Sequence, residues 1–213
     1  SVYVMTNMKS IIGISLRITN AEKYVEKRDS LSHDWSIVLQ QLGFHPLLIP
    51  NTISDVSAFL DDMKVSGLIL SGGDNIGDEP LRDQIEKKII DHAVSHDIPL
   101  IGICRGMQII NSFFGGKIRR LDNSDHVNKP HEVNLSSNFS LGNNAIQVNS
   151  FHYNVIDAAN LGKNLSPFAI SERDNTIEGF IHNELQIFGV MWHPERYPDT
   201  NTNELLKKIF SRK

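Results

Sequence analysis

The amino-acid sequence predicts an α/β fold, in which a doubly wound, mostly parallel sheet is flanked by helices and continues into an antiparallel extension. In the first half, short apolar runs alternate with segments of helical periodicity, which is typical of a parallel sheet covered on both faces. Two of these runs end in glycine-containing turns, at residues 71–73 and 102–106. After Gly115 and Gly116, short strand-like runs alternate with polar turns. Because open parallel sheets bind ligands at the carboxyl ends of their strands, both turns are candidate functional sites.

Apolar spacing defines the elements of the first half. Residues 10–15 form the first predicted strand, and the charged stretch 17–29 after it is predicted to be a loop. Helical spacing predicts a first helix that ends near Gly43, a short helix over 54–63 and a third helix that starts near Asp78 and Pro80. Further strands are expected at 44–49, 65–70 and 99–104. The apolar residues expected to be buried are Trp35, Val38, Leu39 and Leu42 in the first helix and Leu81, Ile85, Ile89 and Ala93 in the third.

The second half is predicted to supply the antiparallel extension and a closing helix. No linker-like composition separates the two halves, so we expect a single domain over residues 8–213. Residues 1–7 precede Met8, which suits a native start, and they are expected to be an added or disordered leader. The predicted strands lie at 117–120, 131–135, 145–149, 168–173, 176–181 and 187–192. The closing helix is expected to bury Leu205, Leu206, Ile209 and Phe210.

The composition of the chain argues against several classes of protein. With 213 residues, 40% hydrophobic and 22% charged, the chain can bury a sizeable core. Its one cysteine excludes an intrachain disulfide, so a reducing cytoplasm is the expected compartment. No run approaches the roughly 20 apolar residues of a membrane span. The net charge of −4 argues against a nucleic-acid scaffold, although a small anionic substrate could still meet a local basic patch.

Cys104 is the candidate nucleophile. It follows an apolar strand-like run and precedes a helix-like run, with Gly102 and Gly106 on either side. A side chain on such a strand-to-helix turn is exposed and strained, and the flanking glycines let strand, turn and helix pack closely. The positive N-terminal end of the following helix would face the sulfur and favour its thiolate form. The alternative is that a lone cysteine serves as a small buried apolar residue.

His193 and Glu195 supply the remaining parts of a nucleophilic site. They follow the apolar run 187–192, which is typical of a buried strand. A thiol needs a base to take its proton and an orienting group to hold that base, and cysteine, histidine and carboxylate form the usual set. Because the two residues are two positions apart, their side chains point the same way if the backbone is extended. Pro194 between them biases His193 away from helix.

Together these segments resemble the class I glutamine amidotransferase superfamily, and within it the branch of free-standing γ-glutamyl hydrolases. The resemblance covers about residues 11–210 and is carried by the segments 71–74, 102–108, 148–152 and 192–195. It implies a flavodoxin-like fold and a cysteine-dependent enzyme that cleaves the γ-glutamyl amide of a small molecule through a thioester on Cys104. His193 would be the base and Glu195 its orienting group.

The resemblance also implies roles around the nucleophile. The main-chain N–H of Gly73 would join that of Arg105, the residue after the nucleophile, in an oxyanion hole. The residues expected to surround the substrate are Gly72, Gln108, Ser150, Phe151 and His152. Each has an ordinary structural alternative: a plain loop for the glycines, a helix surface for Gln108 and simple packing for His152.

Three functions remain open at this point. The chain could be a free-standing hydrolase, a glutaminase subunit that delivers ammonia to a separate synthase partner, or a binding protein with a dead site. The segment 30–35 and Arg105 after the nucleophile resemble the hydrolase branch, which we favour. The dead site is least favoured because nucleophile, base and orienting group are all present.

No metal or other cofactor is expected. His126 and His131 are five residues apart in a polar stretch, but no cysteine or clustered carboxylate near either residue completes a set of metal ligands. A nucleotide-linked substrate would need cations near its leaving group. The candidate cations in predicted loops are Arg17, Lys23, Lys27, Arg28, Lys129 and Arg173, although solvated surface charge is the commoner role for each.

Overall fold

The computed structural model describes residues 8–137, 139, 143–196 and 200–211. The expected leader at 1–7 therefore lies outside the described residues. The helices are α1 (His33–Gln41), α2 (Val56–Asp62), α3 (Pro80–His96), α4 (Arg105–Phe113) and α5 (Thr200–Phe210). The strands are β1 (Ile11–Ser15), β2 (Arg17–Asn20), β3 (Lys27–Ser30), β4 (His45–Ile49), β5 (Gly67–Leu70), β6 (Leu100–Ile103), β7 (Arg119–Arg120), β8 (His131–Leu135), β9 (Ala145–Val148), β10 (Asn154–Val155), β11 (Leu165–Ser171), β12 (Ile177–His182) and β13 (Ile187–Val190).

A nine-stranded mixed sheet organises the molecule, in the order β4-β1-β5-β6-β13-β12-β11-β8-β9. The first five strands in this order pair in parallel, and the pairs from β13 to β9 are antiparallel. This confirms the predicted parallel sheet with its antiparallel extension. The last parallel strand, β13, comes from the second half of the chain and aligns Val190 with Ile103 of β6. The segments that follow β6 and β13 therefore leave the sheet at the same carboxyl edge.

Helices cover the sheet mostly through the apolar faces that their spacing predicts. In α3, Ile85, Ile89 and Ala93 are buried as expected, whereas the prediction for Leu81 is wrong because its side chain is 45% exposed. At that end of the helix the buried positions belong to Arg82 and to other charged residues that form an internal ion-pair network. Leu205, Leu206, Ile209 and Phe210 of α5 are buried as predicted. No helix in the described part of the chain combines the length and the apolar character needed to span a bilayer.

One prediction for an irregular segment is wrong, and another is confirmed only in part. The stretch 17–29 is not a loop but contains most of an antiparallel hairpin, β2–β3, in which Arg17 lies opposite Ser30. Ile18 is the single apolar residue of the two strands and is buried, so the hairpin has too few apolar positions to show the alternation that marks a half-buried strand. The predicted strand at 117–120 is reduced to β7, which pairs with the two-residue β10 outside the large sheet. Strands this short leave almost no periodic signal.

Candidate active site

Cys104 occupies a strained turn between β6 and α4. Its backbone adopts φ 52° and ψ −105°, a conformation that residues other than glycine seldom adopt. Its N–H donates to the carbonyl oxygen of Val190, which ties the turn to β13. A β-carbon at Gly106 would lie 2.1 Å from the carbonyl oxygen of Leu70, and one at Gly102 would lie 2.4 Å from Gly106. The two glycines therefore permit the close strand, turn and helix packing that holds Cys104 in place.

The imidazole of His193 links Cys104 to Glu195. It hydrogen-bonds the Cys104 side chain, and its Nδ1 lies 2.6 Å from Glu195 Oε1. Burial favours the neutral imidazole, but hydrogen bonds and negative charge from Cys104 and Glu195 outweigh burial and raise the pKa of His193 from 6.5 to about 9. The two side chains meet across a turn, not along an extended strand as expected, because β13 ends at Val190 and Arg196 N–H donates to His193 O.

Three neighbours fix the position of His193. Asn149 contacts its main chain twice, since Nδ2 donates to His193 O and Oδ1 accepts from His193 N, both at 2.8 Å. Gly72 lies against the ring, because a β-carbon there would be 2.7 Å from His193 Cε1. The ring of Phe151 meets the imidazole edge-on at 5.9 Å between centroids. Asn149 is absent from the predicted site although it lies in the segment 148–152, because as the last residue of a predicted strand it carries no sign of a contact with His193.

The expected oxyanion donors lie beside the nucleophile. Arg105 is the first residue of α4, so its main-chain N–H has no partner within the helix. Gly73 shares a cavity lining with Cys104 and Arg105 and adopts φ +134°. The Arg105 side chain turns away into the protein, where it pairs with Asp83 and Glu86 of α3. This buried ion pairing anchors the start of α4 and, with it, the residue that follows Cys104.

A cavity of about 190 Å³ opens beside the Cys104 sulfur. Of the residues expected around the substrate, Gln108, Phe151 and His152 line it. Ser150 lines neither this cavity nor the next one, because its hydroxyl donates to His126 O at 2.7 Å. The remaining lining residues are Gly73, Asp74, Asn75, Cys104, Arg105, Tyr153 and Asn154.

A second cavity, of about 300 Å³, lies beside His193. Gly72, His193 and Glu195 form its inner wall, and Arg17 from the β2–β3 hairpin and Arg196 bring positive charge to it. The Nε of Arg17 is 2.7 Å from the place that a β-carbon on Gly73 would take, so this guanidinium packs against the turn at Gly73. The other lining residues are Thr19, Ser30, Leu31, Ser32, Trp35 and Ser71.

Arg17 is the one candidate cation that lines either of these two cavities. Lys27 pairs with Glu79 at 2.8 Å, and Arg28 pairs with Glu26 at 2.6 Å, both on the surface. The other three lie elsewhere: Lys23 is exposed, Lys129 pairs with Asp125, and Arg173 donates to Asp125 O.

The fold brings Glu178 and His152 to His126 and His131, and the atoms of His126, His152 and Glu178 lie close enough together to share a metal ion. Glu178 of β12, 47 and more residues away along the chain, lies 3.4 Å from both histidines. His152 joins the same group at 3.4 Å. The prediction that no carboxylate completes a set of metal ligands at either histidine is therefore wrong. Sequence spacing shows only residues that are close along the chain, whereas Glu178 is brought to the histidines by the folding of β12.

The chain is similar over most of its length to a protein family and to individual relatives. The family model for glutamine amidotransferase class-I matches residues 24–213. A gamma-glutamyl-CDP-amidate hydrolase from Campylobacter jejuni is 36% identical over 209 residues, which cover 94% of this chain and 97% of that protein. A subunit of the glutamine-hydrolyzing GMP synthase of Pyrococcus furiosus is 31% identical over 163 residues, which cover 74% of this chain and 79% of that protein.

Solved structures support the same fold. A Thermoplasma acidophilum protein assigned as part of a GMP synthase superposes with a TM-score of 0.74 at 24% identity, over 95% of this chain and 93% of that one. A glutamine amidotransferase from Thermotoga maritima gives a TM-score of 0.66 at 16% identity, over 94% and 86% of the two chains. The resemblance predicted from the motifs is confirmed, and the chain belongs to the glutamine amidotransferase class-I family.

Proposed function

We propose that the protein hydrolyses the γ-glutamyl amide bond of a small metabolite and releases glutamate through a thioester on Cys104. One observation carries the proposal: Cys104 and His193 are in contact, with one cavity beside the sulfur and another beside the imidazole. The cavity beside the sulfur would take the glutamyl group, and the cavity beside the imidazole would take the leaving group. Glu195 completes the set by fixing the imidazole at 2.6 Å.

The first step is acylation. The Cys104 thiolate attacks the γ-carbonyl carbon, and the developing oxyanion is stabilised by the N–H groups of Gly73 and Arg105. When the tetrahedral intermediate collapses, the C–N bond breaks and the C–S bond remains. The His193 imidazolium gives its proton to the departing nitrogen. Its pKa of about 9 keeps it protonated near neutral pH, as this step requires.

The second step is hydrolysis of the thioester. Once Cys104 is acylated, its sulfur carries no negative charge, so one of the interactions that raise the pKa of His193 is gone. The imidazole then has a greater tendency to be neutral and can take a proton from water. The resulting hydroxide attacks the thioester carbonyl, the C–S bond breaks and glutamate leaves. The same residue thus acts as acid and then as base, with its charge set by the state of the sulfur.

We further propose that the leaving group carries phosphate, as in a nucleotide-linked γ-glutamyl amide. Arg17 and Arg196 face the cavity beside the imidazole, and guanidinium groups bind phosphate oxygens through paired hydrogen bonds. Seryl and threonyl hydroxyls in the same lining add neutral donors. The name of the Campylobacter jejuni relative, gamma-glutamyl-CDP-amidate hydrolase, supports γ-glutamyl-CDP-amidate as the substrate. Hydrolysis of γ-glutamyl-CDP-amidate would release glutamate and leave cytidine diphosphoramidate, which would serve for capsule modification.

A second candidate function is that of a glutaminase subunit that passes ammonia to a separate synthase. The likeness to part of a glutamine-hydrolyzing GMP synthase is the observation that favours it. The same Cys104, His193 and Glu195 would act, but the leaving group would be ammonia. Ammonia carries no negative charge that Arg17 or Arg196 could bind.

The deciding experiment measures glutamate release by the purified protein alone, from glutamine and from a panel of γ-glutamyl amides with neutral, phosphate and nucleoside diphosphate leaving groups. The proposal predicts turnover without a partner, with the highest kcat/KM for the nucleotide-linked amide. Glutamine hydrolysis that requires an added synthase would favour the second candidate. A protein that releases no glutamate from any amide, with or without an added synthase, would overturn both.

A further inference from the structure

A buried group of three histidines and one glutamate lies behind the wall of the cavity beside Cys104. Glu178 is 1% exposed, and its Oε1 lies 3.4 Å from a ring nitrogen of each histidine: Nδ1 of His126, Nε2 of His131 and Nε2 of His152. The donor atoms of His126, His152 and Glu178 all fall within 4.8 Å of one another. We name these four residues the His–Glu cluster.

Several buried polar atoms of the His–Glu cluster have no hydrogen-bond partner among the described residues. Separations of 3.4 Å exceed the usual 2.7–3.2 Å of an N–H···O bond. Among the described residues, neither carboxylate oxygen of Glu178 has a hydrogen-bond partner, nor do the histidine nitrogens that face it. A buried carboxylate is costly unless a positive charge lies beside it, and either a bound cation or a protonated histidine would supply that charge.

The geometry of the cluster fits a metal ion better than it fits direct bonds. Around a tetrahedral Zn²⁺ with ligands at about 2.1 Å, neighbouring ligand atoms lie about 3.4 Å apart. That is the separation between Glu178 Oε1 and each histidine nitrogen. The second ring nitrogen of His126 lies 2.6 Å from Asp174 Oδ2, as in the carboxylate–histidine–metal arrangements that orient a ligand.

We propose that His126, His152 and Glu178 are the three protein ligands of a divalent cation of the Zn²⁺ class, with His131 beside them. Imidazole and carboxylate ligands suit zinc and its late first-row neighbours. The site is separate from Cys104 and takes no part in the amide chemistry.

The proposed ion has a structural role next to the substrate. His152 lines the cavity beside Cys104, and its main-chain N–H donates to His126 O at 3.0 Å. The Ser150 hydroxyl donates to the same carbonyl oxygen. A metal ion would therefore join three separate segments, namely the loop around His126, the segment 150–154 and β12, and would hold the cavity wall rigid.

The test must remove other places where zinc could bind. One is the thiol–imidazole pair of Cys104, and another is the group of Asp61, His92 and His96 at the surface. The background protein is therefore the full chain with Cys104→Ala and His96→Gln. After treatment with chelator, it is titrated with ZnCl2 by isothermal calorimetry, and its melting temperature is measured with and without Zn²⁺. We expect one Zn²⁺ per chain and a higher melting temperature with the metal.

Two variants of this background decide the assignment. His126→Gln removes a ligand and should abolish the binding, whereas Asp174→Asn keeps every ligand and should weaken it about 10-fold to 100-fold. As a measurement that needs no further variant, the background protein is titrated with Co²⁺, whose strong visible absorption marks four-coordinate sites. Absence of stoichiometric Zn²⁺ binding in the background, binding unchanged in a folded His126→Gln variant, or a weak six-coordinate Co²⁺ spectrum would each overturn the proposal.

Discussion

At the scale of the residue, His193 decides the pH dependence. Its pKa is raised from 6.5 to about 9 by Cys104 and Glu195 against the opposing effect of burial. A raised pKa in the folded state means that the stabilising contribution of the imidazolium is complete below about pH 6.5 and is lost as the pH rises through about 9. The same proton is the one that acylation needs.

This predicts the alkaline limb of the rate profile. Because acylation needs the imidazolium, kcat/KM should hold up to about pH 9 and then fall. Glu195→Gln removes one of the two negative charges, so its falling limb should lie at lower pH. The measurement is kcat/KM against pH for both proteins. A limb that stays at the same pH in the variant would contradict the role given to Glu195.

Gly72 gives a second residue-scale prediction. An alanine there would place its β-carbon 2.7 Å from His193 Cε1, so the imidazole must move away from Cys104. Displacements of this size can cost about 100-fold in rate, and we expect that loss in the kcat of Gly72→Ala with its melting temperature little changed. Gly43→Ala is the matched control, since Gly43 has φ +86° but nothing within 4 Å of an added β-carbon. It should lose about 1 kcal/mol of stability and no activity.

At the scale of the element, α3 and α4 are joined by buried charge. Glu86 of α3 is fully buried and contacts Arg82 and Arg105, and Ser15 of β1 donates to it at 2.8 Å. Replacing it by glutamine leaves two buried guanidinium groups short of a partner.

We therefore expect Glu86→Gln to lower the free energy of unfolding by about 3–5 kcal/mol in urea denaturation. Lys87→Gln on the exposed face of the same helix is the control and should change it by less than about 0.5 kcal/mol. Equal stability of the two variants would show that the network does not anchor α4.

The β2–β3 hairpin carries the prediction about substrate choice. Arg17 faces the cavity proposed for the leaving group, whereas Arg28 on the same hairpin pairs with Glu26 at the surface. Arg17→Ala should lower kcat/KM about 10-fold to 100-fold for a nucleotide-linked γ-glutamyl amide, as the loss of a charged hydrogen bond does, and leave glutamine hydrolysis unchanged. Arg28→Ala should affect neither substrate. An equal loss on both substrates in Arg17→Ala would contradict a phosphate-bearing leaving group.

At the scale of the whole molecule, the sheet ties the two halves of the chain together. β13 from the second half lies between β6 and β12, so neither half completes its part of the sheet alone. We propose that residues 8–213 form a single domain that unfolds cooperatively.

The fluorescence of the two tryptophans tests whether the two halves of the chain unfold together. Trp35 lies on α1 in the first half and Trp192 follows β13 in the second, and both are buried. In the single variants Trp35→Phe and Trp192→Phe, the fluorescence of the remaining tryptophan should follow the same thermal transition as circular dichroism. Separate midpoints for the two reporters would show two independent units.

The elements predicted correctly from the sequence are those whose pattern of residues is visible within a short stretch of the chain. The parallel strands appear as apolar runs because they are buried on both faces, and the turn at Cys104 is marked by its two glycines. The β2–β3 hairpin was missed because its two strands contain a single apolar residue, Ile18, which is too few for an alternating pattern. Asn149 and Glu178 were missed for a different reason, since their partners His193 and His126 are brought to them only by the folded sheet.

The central claim is that Cys104 and His193 act as one unit, and the most direct test is a double-mutant cycle on glutamate release. Cys104→Ala and His193→Ala should each lose at least about 1,000-fold in kcat, and the double variant should be no slower than the slower single variant, because residues that act together are not additive. Full turnover in Cys104→Ala, or losses that multiply in the double variant, would contradict the mechanism.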